Sequence, residues 1–223
     1  MLKTARNAVY SPHGERDDSR HHRVYQAFDT QPRGGTPLAE VRSVEPVVRF
    51  CAVITRHCEA GQWAIERLSE HWGSVQSSSC EIPFEAGGYY TPTMGGGLTK
   101  TLIAFEEFQD PAELSAWKHL TNDLERSYAS DSSHPEPRPL NLDPGYVTQA
   151  KLVLATTKDR DHRIYLRDGI FAEVTLTYVG KQWRHHRWSY PSYRTEEVAE
   201  FTAECRQRLR AHLKRTRQFR KHV

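Results

Sequence analysis

The stretch Arg163-Ile164-Tyr165-Leu166, Arg167-Asp168-Gly169, Ile170-Phe171-Ala172-Glu173-Val174-Thr175-Leu176-Thr177-Tyr178-Val179 sets two strand-length apolar runs on either side of an Asp-Gly turn. Asp-Gly between β-branched and aromatic runs is a hairpin signal, because the turn needs residues that tolerate positive φ. The second run alternates. Ile170, Ala172, Val174, Leu176 and Tyr178 face one way; Phe171, Glu173, Thr175 and Thr177 face the other. One buried and one more polar face are expected, as in an antiparallel sheet.

Working outward, Lys151 to Thr157 reads as a strand, although Val147 to Leu154 could begin helically, and Gly180-Lys181 turns into a further strand through Trp188. Leu140-Asn141-Leu142-Asp143-Pro144-Gly145-Tyr146 reads as a turn. Upstream, Val47 to Ile54 is a central strand and Glu59 to Trp72 a helix with Ile65, Leu68 and Trp72 on one stripe. An irregular stretch follows, from Cys80 to the Gly95-Gly96-Gly97 turn, and Thr101 to Phe108 is another strand. Asp110, Pro111 and Glu113 form a helix start, continued by Leu114, Trp117, Leu120, Leu124 and Tyr128. The last helix starts near Thr195 and carries Val198, Phe201, Cys205, Leu209 and Leu213. The expected fold is α+β: a single domain with a mostly antiparallel sheet and helices packed on one side.

Of the 223 residues, 37% are hydrophobic, and the polar excess sits at the ends. Residues 1–45 are rich in Arg, His, Gly, Pro and Ser and read as a flexible extension. Residues 46–205 form the domain, with 16 basic and 22 acidic residues. Residues 206–223, a basic helical tail, carry eight Lys or Arg and no acid, so the basic pI of about 8.7 is a property of the tail. No secretion signal or membrane span is read, and a cytoplasmic location is expected. The four cysteines are spaced like unpaired cytosolic thiols. His57-Cys58 with His71 and Cys80 fits no compact zinc spacing, so no metal site is assigned. Nor is any cofactor identified.

The phosphate-loop, dinucleotide-binding, GxSxG, HExxH and HxE…CxxC patterns are absent. The densest polar region is 141–173. As a turn, Asp143-Pro144-Gly145-Tyr146 would aim Asp143 and Tyr146 at fixed points. Thr156-Thr157-Lys158-Asp159 ends an apolar strand, where ligands are often met. Each feature also has a plain structural role open to it. Asp143 could bond its own turn, Lys158 to Asp161 could be a solvated loop, and Glu173 could pair with Arg163 or Lys151. Trp183-Arg184-His185-His186-Arg187-Trp188 and Tyr190 to Arg194 interleave aromatics with cations, which suits either nucleic acid or the rim of a core.

Several motifs, in order, resemble the bacterial family described as domain of unknown function 4416. They are Asn141 to Tyr146, Lys151 to Asp159, His162 to Leu166, Asp168-Gly169-Ile170, Ala172 to Leu176 and Tyr190 to Thr195, with Pro83-Phe84, Tyr89-Tyr90 and Met94-Gly95 upstream. The resemblance covers roughly residues 47–205. Members are sometimes labelled GTP-binding. Thr157-Lys158-Asp159-Arg160 lacks the Asn and the placed Asp of an NKxD guanine turn, so the residues do not carry that label here.

The leading expectation is a site for a small anionic ligand, phosphate- or carboxylate-bearing, in a binding protein or enzyme. Lys151, Lys158, Arg163 and Arg194 would hold the anion with Thr157 and Tyr146, while Asp143, Asp159, His162 and Glu173 would do acid/base work or hold a divalent ion through oxygens. The alternatives are a nucleic-acid module using Arg206 to Lys221 and the Trp183–Arg194 cluster, and a scaffold without a ligand.

Overall fold

A computed structural model describes residues 44–219 apart from residue 86; the expected extension over 1–45 therefore lies almost wholly outside the described residues, as do Arg220 and Lys221. In chain order the elements are β1 (Val47–Thr55), α1 (Cys58–Trp72), β2 (Val75–Ser78), β3 (Ile82–Pro83), α2 (Thr91–Met94), β4 (Thr99–Gln109), α3 (Leu114–Asp131), β5 (Leu140–Val147), β6 (Lys151–Thr156), β7 (Arg163–Arg167), β8 (Ile170–Val179), β9 (Gln182–His185) and α4 (Glu196–Thr216). The strands form one sheet in the order β2-β4-β1-β5-β6-β8-β7, with β3 also on β4 and β9 also on β8. Every pairing is antiparallel. The α+β class and the antiparallel sheet are therefore observed. Among the described residues no helix is long and apolar enough to cross a membrane.

The helices do not share one side. All nine residues of β1 are buried, which is possible only for a strand covered on both faces. Val47, Cys51 and Val53 pack with Ala60, Ala64, Leu68 and Trp72 of α1 and with Trp117 and Leu124 of α3. Val48, Phe50 and Ala52 pack with Val198, Phe201, Cys205, Leu209 and Leu213 of α4. The alternation along β1 hands consecutive residues to opposite layers, so α4 closes the face that α1 and α3 leave open. The boundary drawn after Cys205 thus falls inside a packed helix: Leu209 and Leu213 are fully buried. Each such side chain contributes roughly 1.5–3 kcal/mol by burial.

Two local readings are corrected. The alternation in β8 slips at Thr175, where the register to β6 shifts between Leu152/Leu176 and Val153/Val174. The extra residue of this bulge turns Leu176 to the α4 face, while Ile170, Ala172 and Val174 stay with α1 and α3. Leu140 to Val147 is a strand, not a turn, and pairs with β1 over eight residues. Local turn preference yields to that ladder. Gly145 has an extended role here rather than a turning one. A Cβ there would lie 2.3 Å from the Val153 carbonyl oxygen and 2.8 Å from the Phe50 ring. β6 pairs only with Gly145 to Val147, so β5 has an open side from Pro144 back to Leu140. Proline is tolerated where a strand loses a neighbour.

Candidate functional site

The separation of β5 from β6 beyond the Gly145–Leu154 pair opens a pocket of about 130 Å³. At about 10–15 Å³ per water, this is room for several waters or a phosphate-sized group. The floor is formed by Asn141 and Asp143 of β5, Leu154 to Thr156 of β6 and Glu173 of β8. Lys118 and Asn122 reach it from α3, Arg138 from the segment after α3, and Lys158 and Arg163 from either side of the β6–β7 connection. Tyr90, Tyr190 and Tyr193 supply aromatic walls.

The β5 side is a closed polar ring. Lys118 Nζ donates to the Leu142 carbonyl at 2.7 Å and to Asp143 Oδ1 at 3.3 Å. Asn141 Nδ2 donates to Asp143 Oδ2 at 2.9 Å, and Arg138 Nη2 donates to Asn141 Oδ1. Glu125 of α3 accepts from Arg138 Nη2 at 2.8 Å and from the Leu142 amide at 2.8 Å. Leu142 can be bound by side chains because no β6 residue occupies that side of β5. Burial acts to raise the Asp143 carboxyl; the Lys118 ammonium, the Asn141 hydrogen bond and Arg138 outweigh it and hold the group below the usual carboxylate range.

The β8 side is built on Glu173, which is 3% exposed. It accepts from Arg163 Nε at 2.9 Å and Thr175 Oγ1 at 3.1 Å, and stands 3.1 Å from His162 Nε2. The other ring nitrogen of His162 is 2.9 Å from Asp161 Oδ1, and its ring stacks on Trp188. Arg163 also ties back to the Lys158 carbonyl through Nη1 at 2.9 Å.

Among the described residues four cationic and two carboxylate side chains line the pocket, and Glu125, paired with Arg138 and near Lys118 from behind the lining, leaves an excess of one positive charge. Lys158 is exposed, donates to Tyr89 Oη at 3.2 Å and has no carboxylate partner among the described residues. Arg138 Nη1 and Arg163 Nη2 bond to nothing among the described residues, the other nitrogens of each being used. The Tyr193 hydroxyl is buried without a hydrogen-bond partner among the described residues, and burial followed by the Asp143 charge pushes its pKa well up. Behind its ring lies Lys100, wholly buried, with Nζ 3.5 Å from the ring centroid and donating to Ser192 O at 2.6 Å and Oγ at 3.0 Å. Burial lowers the Lys100 pKa to about 7, against the pull of Asp143.

Of the residues expected at a site, the fold brings Asp143, Thr157, Lys158, Arg163 and Glu173 to this pocket, with His162 behind Glu173. It does not bring Lys151, Tyr146, Asp159 or Arg194. Lys151 is exposed at the far end of β6. Tyr146 packs on the α1/α3 face: three residues apart in a strand, Asp143 and Tyr146 point to opposite faces. Asp159 is exposed in the β6–β7 connection. Arg194 spends Nε and Nη2 on the Ser189 carbonyl, at 3.0 and 2.7 Å.

A family model described as a domain of unknown function, number 4416, matches residues 45–209. The chain belongs to that family. The family 4416 span begins beside β1 and ends within α4, so it takes in the whole sheet and every residue of the pocket. No curated protein matches the chain, and no solved structure does.

Sequence reading missed Lys118, Asn122, Arg138 and the tyrosine walls of this family 4416 domain. One signal was available. Lys118 and Glu125 stand on the stripe of α3 that also holds Leu114, Thr121 and Tyr128, and Lys118 is 5% exposed. A lysine on the apolar face of a helix needs a buried partner.

Proposed function

We propose that the chain binds a small anionic ligand, phosphate- or carboxylate-bearing, in the pocket between the separated ends of β5 and β6. The observation that carries this reading is the excess of cations over carboxylates, with donors unused among the described residues at Arg138 Nη1, Arg163 Nη2 and Tyr193 Oη. Guanidinium groups anchored by carboxylates are held in place before a ligand arrives, which reduces the ordering cost of binding. Glu125 and Glu173 do that anchoring. Lys158, exposed on its loop, would swing from Tyr89 to complete the shell. The tyrosines would pack against the body of the ligand. Asp143 accepts from Lys118 and Asn141, and Glu173 from Arg163 and Thr175, so they are assigned the orientation of these neighbours rather than proton transfer.

The nucleic-acid reading has weaker support. Arg206 and Arg208 donate to the carbonyls of Gln149 and Phe105, at 2.6 Å each, and Arg210 to the Gln149 side chain. Trp188 is stacked between His162 and His186 and bonds the Val174 carbonyl. These groups are occupied in packing.

Thermal unfolding of the wild type and Lys158→Ala, each with inorganic phosphate and with small di- and tricarboxylates, tests the proposal. The expected result is a melting temperature that rises with ligand concentration in the wild type. In Lys158→Ala that rise should be lost, with the unliganded melting temperature within a few degrees of wild type. No shift with any member of the panel would favour the scaffold reading instead.

A further inference from the structure

We propose a second site, independent of the anion pocket, that takes a borderline divalent cation such as zinc. Its ligands are His57, Glu59 and His134. One donor atom from each lies within 4.8 Å of the other two. Metal–ligand bonds to imidazole and carboxylate are about 2.0–2.2 Å, so three ligands of one ion sit roughly 3–4.5 Å apart. Turning one imidazole out of the stack, so that both ring lone pairs point at the ion, closes the set. Two imidazoles and one carboxylate form the donor combination that suits zinc and leaves a fourth position open.

The fold assembles these residues from two distant segments. His57 precedes α1 and Glu59 lies in its first turn; His134 follows α3. Thr55 locks them together, since its hydroxyl donates to the Pro139 carbonyl at 2.8 Å and accepts from the His57 amide at 3.0 Å. The two imidazole rings stack at 3.8 Å between centroids, 18° apart. His134 Nε2 stands 3.7 Å from Glu59 Oε1 and 3.0 Å from Tyr128 Oη. Glu136 lies outside the triad with Oε2 3.1 Å from His57 Nε2, the carboxylate support that metal-bound histidines usually have. Its other oxygen meets Arg56 Nη1 at 3.1 Å. Both histidines are partly exposed and Glu59 is exposed, so an ion can enter.

Two stacked histidines, one held by the Glu136 carboxylate and the other by the Tyr128 hydroxyl, beside the exposed Glu59 carboxylate are more than a solvated acidic patch. The competing zinc ligands are thiols, because Cys58 and Cys80 are also exposed. The experiment is calorimetric titration of the reduced full-length chain with zinc chloride, repeated on His134→Asn and Cys58→Ser. One equivalent of zinc should bind the wild type and Cys58→Ser, and His134→Asn should lose that binding. Ring-proton NMR of the unsubstituted chain keeps the test decisive if His134→Asn fails to fold: zinc should move two histidine ring signals and leave the remainder in place. Absence of zinc uptake by the wild type, uptake unchanged in His134→Asn, or loss in Cys58→Ser would each overturn the proposal. The anion titration above reads a different pocket, so either reading can fail alone.

Discussion

Lys100→Met gives a stability test that isolates one buried charge. Lys100 is fully buried, with its ammonium on the Tyr193 ring and on two oxygens of Ser192. No carboxylate lies within ion-pair distance among the described residues, and burial brings its pKa down to about 7. In the unfolded chain a lysine keeps its proton to about pH 10.4. Between those two values the unfolded state holds one more proton than the native state, so stability rises with pH. Below about pH 7 both states are protonated and the full penalty applies; above about pH 10.5 neither is and the penalty is gone. Within the window the slope approaches about 1.4 kcal/mol per pH unit, or about 2 kcal/mol between about pH 7 and about pH 9. Methionine has similar length and no proton to bind, so this contribution vanishes in the variant. The assay is urea unfolding of both proteins across that range, under reducing conditions. Other titrating groups cancel in the difference, which should change by about 2 kcal/mol. Parallel pH profiles for the two proteins would refute the reasoning, because Lys100 would then bind its proton equally in both states.

Further outcomes follow from packing. Gly145→Ala should destabilise by about 1–3 kcal/mol or more, since its methyl would meet the Val153 carbonyl and the Phe50 ring; chemical denaturation measures it, and a neutral result would show that β5 and β6 can part further. Glu173→Ala leaves the Arg163 guanidinium without its buried partner and should cost about 3–5 kcal/mol, whereas a loss under about 1 kcal/mol would mean that water replaces the carboxylate. Truncation after Cys205 removes Leu209 and Leu213 from the core and should abolish cooperative unfolding near 25 °C or lower the melting temperature steeply. Nucleic-acid binding is therefore better probed with Lys214→Gln, Arg215→Gln and Arg217→Gln together, by filter binding to RNA at two salt concentrations. A steep salt slope lost in that variant would revive the nucleic-acid reading.

The hairpin of β7 and β8 was legible because Asp168 and Gly169 adopt the positive φ their types permit, at 53° and 74°. The start of α3 was legible for a similar local reason: the Asp110 side chain accepts from the Ala112 amide ahead of Pro111. β5 was not, because Pro144 and Gly145 carry a turn signature while their reason for being there is tertiary. Gly145 is required by Val153 and Phe50, residues distant in the chain. The burial of β1 on both faces was visible as an unbroken apolar run, but which helix covers which face depends on connections that periodicity does not encode. At the site, polar residues at the end of β6 and in β8 could be found from density alone. Arg138, in a Pro-rich connection, and Lys118, on a helix, join them only because β5 and β6 separate.

The measurement closest to the central claim is a titration of the isotopically labelled wild-type chain with inorganic phosphate, followed by backbone and arginine side-chain NMR. Saturable shifts are predicted at Leu154 to Lys158, Arg138 and Arg163, with Lys214 to Arg217 unmoved. Shifts confined to the end of α4, or none that saturate, would contradict an anion site between β5 and β6.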